Sequence, residues 1–172
     1  MTNTELTEWI SEYGKEVYSF CKWLTGCGTE ADELYQDIWL VVVQRLEELK
    51  PAGNVKSYCL SVALRLWKNK RRKYAWRQRI AGEQHYQEIC GPAELEQAAA
   101  PEQQLLSQER DSLIRKAVEA LPWRQRVIVL LYYMEEQPLG RIAEITGLPL
   151  GTVKSRLYHA RKVLRQKLEN MD

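Results

Sequence analysis

Apolar residues return at every third or fourth position of this chain, in one segment after another. Between Leu6 and Leu24 they keep to these steps, until Gly26-Cys27-Gly28 interrupts them. Such spacing places apolar side chains along one side of an amphipathic α-helix. No β-hairpin signal is present in the sequence. We therefore expect an all-α fold.

The same spacing predicts three helices within a first domain, residues 1–80. The first helix stops before Gly26, and glycine permits the backbone geometry of a helix end. Thr29 and Asp32 resemble a capping box that starts a second helix, which continues to about Leu49. The third helix is expected from about Val55 to Arg79.

Residues 81–107 interrupt this regularity and are predicted to form a flexible linker. They contain Gly82, Gly91, Pro92 and Pro101, and Glu and Gln dominate the segment. Residues 108–172 form the second small domain, in which four helices are expected. Their positions are near Leu113, then 123–134, 139–146 and 150–168.

Charge is distributed unevenly along the chain, although the formal net charge is only +2. Residues 51–80 carry 9 basic and no acidic side chains, whereas residues 1–50 carry 4 basic and 10 acidic ones. Residues 112–172 are basic again, with 11 basic against 6 acidic side chains. This pattern indicates two polyanion-binding surfaces.

The segment from Leu139 to Leu157 has the spacing of a helix-turn-helix. Ala143 is small enough for a close helix crossing, Gly147 suits the turn, and Thr152 or Gly151 is predicted as the N-cap of the second helix. The outward face of that second helix can contact guanine edges or phosphates in a major groove. We predict that it binds DNA through Thr152, Lys154, Ser155, Arg156, His159, Arg161 and Lys162.

Aromatic and cationic residues alternate along the basic third helix. Aromatic rings beside a positive groove suit single-stranded nucleic acid, because the rings stack on splayed bases while the cations follow the backbone. Trp67 is expected in the core instead, with Val62 and Leu66. The predicted nucleic-acid contacts are Tyr58, Arg65, Lys70, Arg71, Arg72, Lys73, Tyr74 and Trp76.

The second helix carries an acidic face that includes Asp32, Glu33 and Gln36. Carboxylates repel DNA, so this face is predicted to dock a protein. Paired carboxylates could instead serve acid/base catalysis, but no His, Ser or Gly-rich loop nearby completes such a site. We therefore expect no enzymatic activity.

The four cysteines, at positions 21, 27, 59 and 90, form no Cys-x-x-Cys pair. Neither a metal site nor a cofactor is expected, and Cys21 and Cys59 fit buried apolar positions. The sequence shows neither a signal peptide nor a membrane-spanning run, so a cytoplasmic protein without membrane insertion is expected. In that reducing compartment a structural disulfide is not expected.

These motifs together resemble the extracytoplasmic-function (ECF) sigma factors of bacterial RNA polymerase, over about residues 8–169. Asp32-x-Leu-x-Gln-Asp37 is similar to the polymerase-docking segment of that family. Four further segments are similar to the −35-binding domain of that family. They are Leu121-Pro-x-x-x-Arg126, Ile142-Ala-Glu144, Gly151-Thr-Val-Lys-Ser-Arg-Leu157 and Ala160-Arg161.

The resemblance implies a transcription initiation factor. Residues 1–80 would bind core RNA polymerase and read the −10 promoter element, and residues 108–172 would bind the −35 element. An anti-sigma factor is a further expected partner. Arg65 departs from the family pattern, whereas Asn69 matches it, and the resemblance implies that Asn69 contacts the −10 DNA. The implied polymerase-binding residues are Asp32, Glu33, Leu34, Gln36 and Asp37.

Two other functions would account for part of these sequence features. A conventional helix-turn-helix regulator would bind operators without polymerase and would not need the acidic face. An RNA-binding helical protein would use the aromatic basic helix and leave the helix-turn-helix without a role.

Overall fold

The computed structural model describes residues 3–49, 54–81 and 103–170 and divides into two compact units, 1–93 and 94–172. In these residues the regular structure is helical, without strands, as the apolar spacing predicts. Most of the predicted linker, residues 82–102, lies outside the described residues. The domain limits at 80 and 108 therefore stay a prediction.

Unit 1 is a bundle in which three long helices pack against one another. Its core contains Phe20, Leu34, Ile38 and Leu60, and Trp67 is buried there as predicted. The helices are α1 (Asn3–Thr25), α2 (Gly28–Gln44), the short α3 (Leu46–Leu49) and α4 (Val55–Ala81).

The predicted capping box at the start of α2 is wrong. Gly26 has a φ of 66°, which turns the chain out of α1. The N–H of Ala31 then donates to the Cys27 carbonyl oxygen at 2.9 Å, so the N-cap is Cys27 and Thr29 lies within the helix. The predicted second helix is also interrupted at Arg45, between α2 and α3.

Three cysteines lie in the described part of the chain. Cys21 and Cys59 are buried thiols, as predicted, and burial raises the pKa of the Cys59 thiol to about 12. Cys27 is disulfide-bonded, so the expectation of no structural disulfide is wrong. A disulfide requires two cysteines close together in space, and sequence spacing does not encode that proximity.

Unit 2 has a core in which Leu121, Val129 and Ala160 pack with Val163 and Leu164. Pro122 precedes α6 as its N-cap. The helix predicted to end at Met134 changes at Leu130 into a π-helical turn. The elements are α5 (Gln103–Glu119), α6 (Trp123–Val129), the π-helical turn (Leu130–Met134), α7 (Leu139–Thr146) and α8 (Leu150–Glu169).

In the described ranges, no helix has the length and apolar character needed to cross a membrane. Nor do those ranges bring together three His, Cys, Asp or Glu side chains that could hold a metal ion.

Candidate nucleic-acid interface

A tight turn joins α7 to α8 in unit 2. Gly147 ends α7 with a φ of 72°, a left-handed conformation that favours glycine. Its N–H donates to the Ala143 carbonyl oxygen at 2.9 Å, and the Thr146 hydroxyl donates to the Ile142 carbonyl oxygen at 2.7 Å. Ile142 and Val153 are both buried, and the two helices pack together. The predicted helix-turn-helix is confirmed.

The first turn of α8 has its N-cap at Pro149, so the prediction of Gly151 or Thr152 at that position is wrong. The N–H groups of Thr152 and Val153 donate to the Pro149 carbonyl oxygen at 3.0 and 3.1 Å. The N–H groups of Leu150 and Gly151 come before these first hydrogen bonds of the helix. Gly151 is exposed, and the space that a Cβ would occupy is open. This helix end therefore offers amide donors and a partial positive charge to an anion.

The outward face of α8 carries most of the side chains assigned to it from sequence. Thr152 and Arg156 are half-buried. The exposed ones are Lys154, Ser155, His159, Arg161 and Lys162. Tyr158 also lies on this face, 65% exposed, and sequence reasoning missed it. Its position four residues after Lys154 would have revealed it, since side chains four apart share a helix face.

Arg161 is held by two tyrosines from the π-helical turn. Its Nε donates to the Tyr133 hydroxyl oxygen at 2.5 Å. Its guanidinium carbon lies 5.2 Å from the ring centroid of Tyr132 and 5.5 Å from that of Tyr133. The hydrogen bond to Tyr133 is the main cause that raises the pKa of Arg161.

The C-terminal part of α4 forms an exposed arm, which we define as residues 71–80. Every side chain in the arm is exposed, with Trp76 at 63%. Arg71 stacks at its base, with its guanidinium carbon 4.8 Å from the Trp67 ring centroid. The arm brings together five of the predicted contacts, which are Arg71, Arg72, Lys73, Tyr74 and Trp76.

The other predicted contacts on α4 lie before the arm. Arg65 and Asn69 are exposed, and Lys70 is half-buried. Tyr58 lies about 27 Å along the helix axis from Trp76, at about 1.5 Å per residue. Its hydroxyl oxygen is buried and has no hydrogen-bond partner in the described structure. The structure therefore does not bring Tyr58 together with the arm.

The acidic face of α2 contacts residues from both neighbouring helices. The Tyr18 hydroxyl of α1 donates to the Asp32 carboxylate. Lys70 of α4 lies 3.5 Å from a Glu33 carboxylate oxygen and 3.6 Å from one of Asp37. From the sequence, Lys70 was predicted to contact nucleic acid, and Glu33 and Asp37 were predicted to contact polymerase. In the structure, Lys70 instead forms ion pairs with both acids.

Gln36 and Leu34 occupy different environments on α2. Gln36 is exposed beside the acidic side chains, as predicted. Leu34 is only 1% exposed, because its side chain packs into the core of unit 1. Leu34 therefore cannot contact a docked protein directly.

Comparisons with known proteins cover both units. Residues 9–77 match the family model of Sigma-70 region 2, and residues 111–164 match that of Sigma-70 region 4. The ECF RNA polymerase sigma factor SigW of Bacillus subtilis is 25% identical over 169 residues, which cover 94% of this chain and 88% of SigW. The sigma-E factor of Escherichia coli K12 is 31% identical over 75 residues, 44% of this chain and 39% of that protein.

Two solved structures share the fold. The sigma factor RpoE of Bartonella quintana, solved with the anti-sigma factor NepR, gives a TM-score of 0.76 at 20% identity, covering 96% of this chain and 97% of RpoE. CnrH, solved with the cytosolic domain of CnrY, gives 0.67 at 16% identity, covering 99% and 92%. These two likenesses show the fold. The two family models and the match to SigW show that the chain belongs to the ECF sigma factors, which act in transcription initiation.

Proposed function

We propose that unit 1 docks on core RNA polymerase and binds the −10 element, and that unit 2 binds the −35 element. The exposed arm of α4 is the observation that carries this proposal, because it presents cations and aromatic rings together without acidic side chains. Aromatic rings stack on unpaired bases while Lys and Arg contact the phosphates. This suits a DNA strand separated at the −10 element.

In unit 2, α8 is the proposed recognition helix for duplex DNA. Its open N-terminus suits a phosphate, and Lys154, Ser155 and Arg156 follow within the next two turns. A recognition helix in a major groove contacts base edges through its N-terminal residues. Arg156 is the proposed base-reading residue, because arginine can donate two hydrogen bonds to a guanine.

On α2, the acidic face is the proposed polymerase-docking surface. Asp32 and Gln36 are exposed one helical turn apart, and they are the proposed direct contacts. Leu34 supports this surface from the core below it, and the pairing of Glu33 and Asp37 with Lys70 restrains their carboxylates.

The proposal extends to an anti-sigma factor and to the site of action. RpoE of Bartonella quintana was solved with an anti-sigma factor, and we infer a comparable partner for this chain. Such a protein would compete with polymerase or promoter for the surfaces described above. Since bacterial RNA polymerase works in the cytoplasm, this chain would act there, as an initiation factor rather than as an enzyme.

Run-off transcription with purified core polymerase tests the proposal. The protein should support initiation on a subset of promoter fragments, and replacing Asp32 and Gln36 together with Ala should reduce it about tenfold, since two polar contacts of about 0.5–1.5 kcal/mol each are lost. Replacing Glu8 and Glu12, exposed acids on α1, is the control. Absence of initiation from every fragment, with tight operator binding by the protein alone, would support a conventional regulator instead.

Replacing Arg156 with Ala should weaken −35 binding by about 1–3 kcal/mol and relax selectivity at one base pair. Competition binding of the holoenzyme to promoters that carry each base in turn at every −35 position measures both effects. Arg165→Ala, an exposed arginine further along α8, is the matched control and should keep full selectivity. Unchanged selectivity in Arg156→Ala would show that α8 is oriented differently in the groove.

A further inference from the structure

Tyr132 and Tyr133 form a compact pair beside α8. Their ring centroids are 4.9 Å apart with an interplanar angle of 85°, and Tyr133 is 52% exposed. An exposed tyrosine gains little from burial of its ring. The contact that Tyr133 does make joins the π-helical turn to Arg161.

The π-helical turn explains how two consecutive tyrosines reach one guanidinium. In a regular α-helix, neighbouring side chains project about 100° apart. The π-helical turn is wider, closed by the hydrogen bond from the Glu135 N–H to the Leu130 carbonyl oxygen at 3.1 Å, so successive side chains diverge less. Such turns interrupt the regular hydrogen-bond pattern of the α-helix, and they are frequent at functional sites.

The hydrogen bond from Nε determines which part of Arg161 remains available. Tyr133 accepts from Nε, and that bond does not use the two terminal nitrogens of the exposed guanidinium. Arg161 also lies seven residues, about two turns, after Lys154 and so shares its face of α8. A group two turns beyond the base-reading end suits the DNA backbone better than a base edge.

We propose that Tyr133 is a positioning residue that orients Arg161 toward a phosphate of the −35 element. This inference rests on the proposed function of α8. An unrestrained arginine loses rotamer freedom when it binds a phosphate. Because the tyrosine pair already restricts Arg161 in the free protein, less freedom is lost on binding.

Holoenzyme affinity for a promoter that requires its −35 element, measured over a series of salt concentrations, tests this inference. Arg161→Ala should weaken binding about fivefold and reduce the salt slope by about one, as loss of a phosphate contact does. Tyr133→Phe keeps the ring and removes only the hydroxyl, and it should weaken binding about threefold. In the Arg161→Ala background, Tyr133→Phe should have no further effect on affinity.

The double-substitution comparison separates positioning from a merely structural role. A structural role would lower the melting temperature of Tyr133→Phe and weaken binding equally in both backgrounds, which would overturn the inference. Wild-type affinity of Tyr133→Phe, or of Arg161→Ala in a holoenzyme that initiates normally, would also overturn it. A wild-type protein that supports no initiation would instead refute the proposed function, and this inference with it.

Discussion

Replacing both Tyr74 and Trp76 with Ala is expected to weaken binding of single-stranded −10 DNA by the holoenzyme at least thirtyfold. Both rings are exposed on the α4 arm, so they are accessible to unpaired bases. Each base–aromatic stack contributes about 1–3 kcal/mol, and loss of two stacks therefore costs about 2–6 kcal/mol. Because the rings support no core, the free energy of unfolding should change little.

Fluorescence anisotropy with a labelled non-template strand measures this loss. Ile80→Ala is the matched control, because Ile80 is an exposed apolar residue of the same arm without an aromatic ring. Its substitution should leave the affinity within about twofold of wild type. An unchanged affinity in the double variant would show that the bases bind elsewhere on unit 1.

Replacing Phe20 with Ala is expected to lower the free energy of unfolding of unit 1 by about 3–5 kcal/mol. Phe20 is 0% exposed and among the largest fully buried side chains of the described residues. Its removal loses the transfer free energy of the ring and leaves a cavity between packed helices. The helices that carry the acidic face and the arm should therefore open together.

Amide hydrogen exchange of buried α2 and α4 residues in the full chain reports that free energy of unfolding. Ile10→Ala, an exposed apolar position on the same helix α1, is the control and should change it by about 0.5 kcal/mol or less. A loss below about 1 kcal/mol for Phe20→Ala would mean that the neighbouring side chains refill the space.

The sequence predicts well those features that depend on neighbouring residues. The bounds of α7, the turn at Gly147 and the burial of Trp67 all agree with the structure. Each follows from helical periodicity or from the backbone freedom of glycine, both of which act over a few residues. The exposure of Trp76 was predictable for the same reason.

Features that depend on distant residues could not be predicted. Lys70 pairs with Glu33 and Asp37 only because α2 and α4 pack together, and no local spacing encodes that contact. The π-helical turn is also invisible to periodicity, since an apolar run of five residues fits either helix type. The hydrogen bond between Tyr133 and Arg161 joins positions 28 residues apart.

The exposed arm gives α4 a property that the rest of the bundle lacks. A helical segment without tertiary packing depends on the helix–coil equilibrium, which is marginal in water for segments of this length. Lys73 and Arg77 lie four residues apart, so like charges face each other on the helix and favour the coil. A polyanion lying along the arm neutralises that repulsion and shifts the equilibrium toward the helix. If the arm binds DNA as proposed, the nucleic acid stabilises the conformation that binds it.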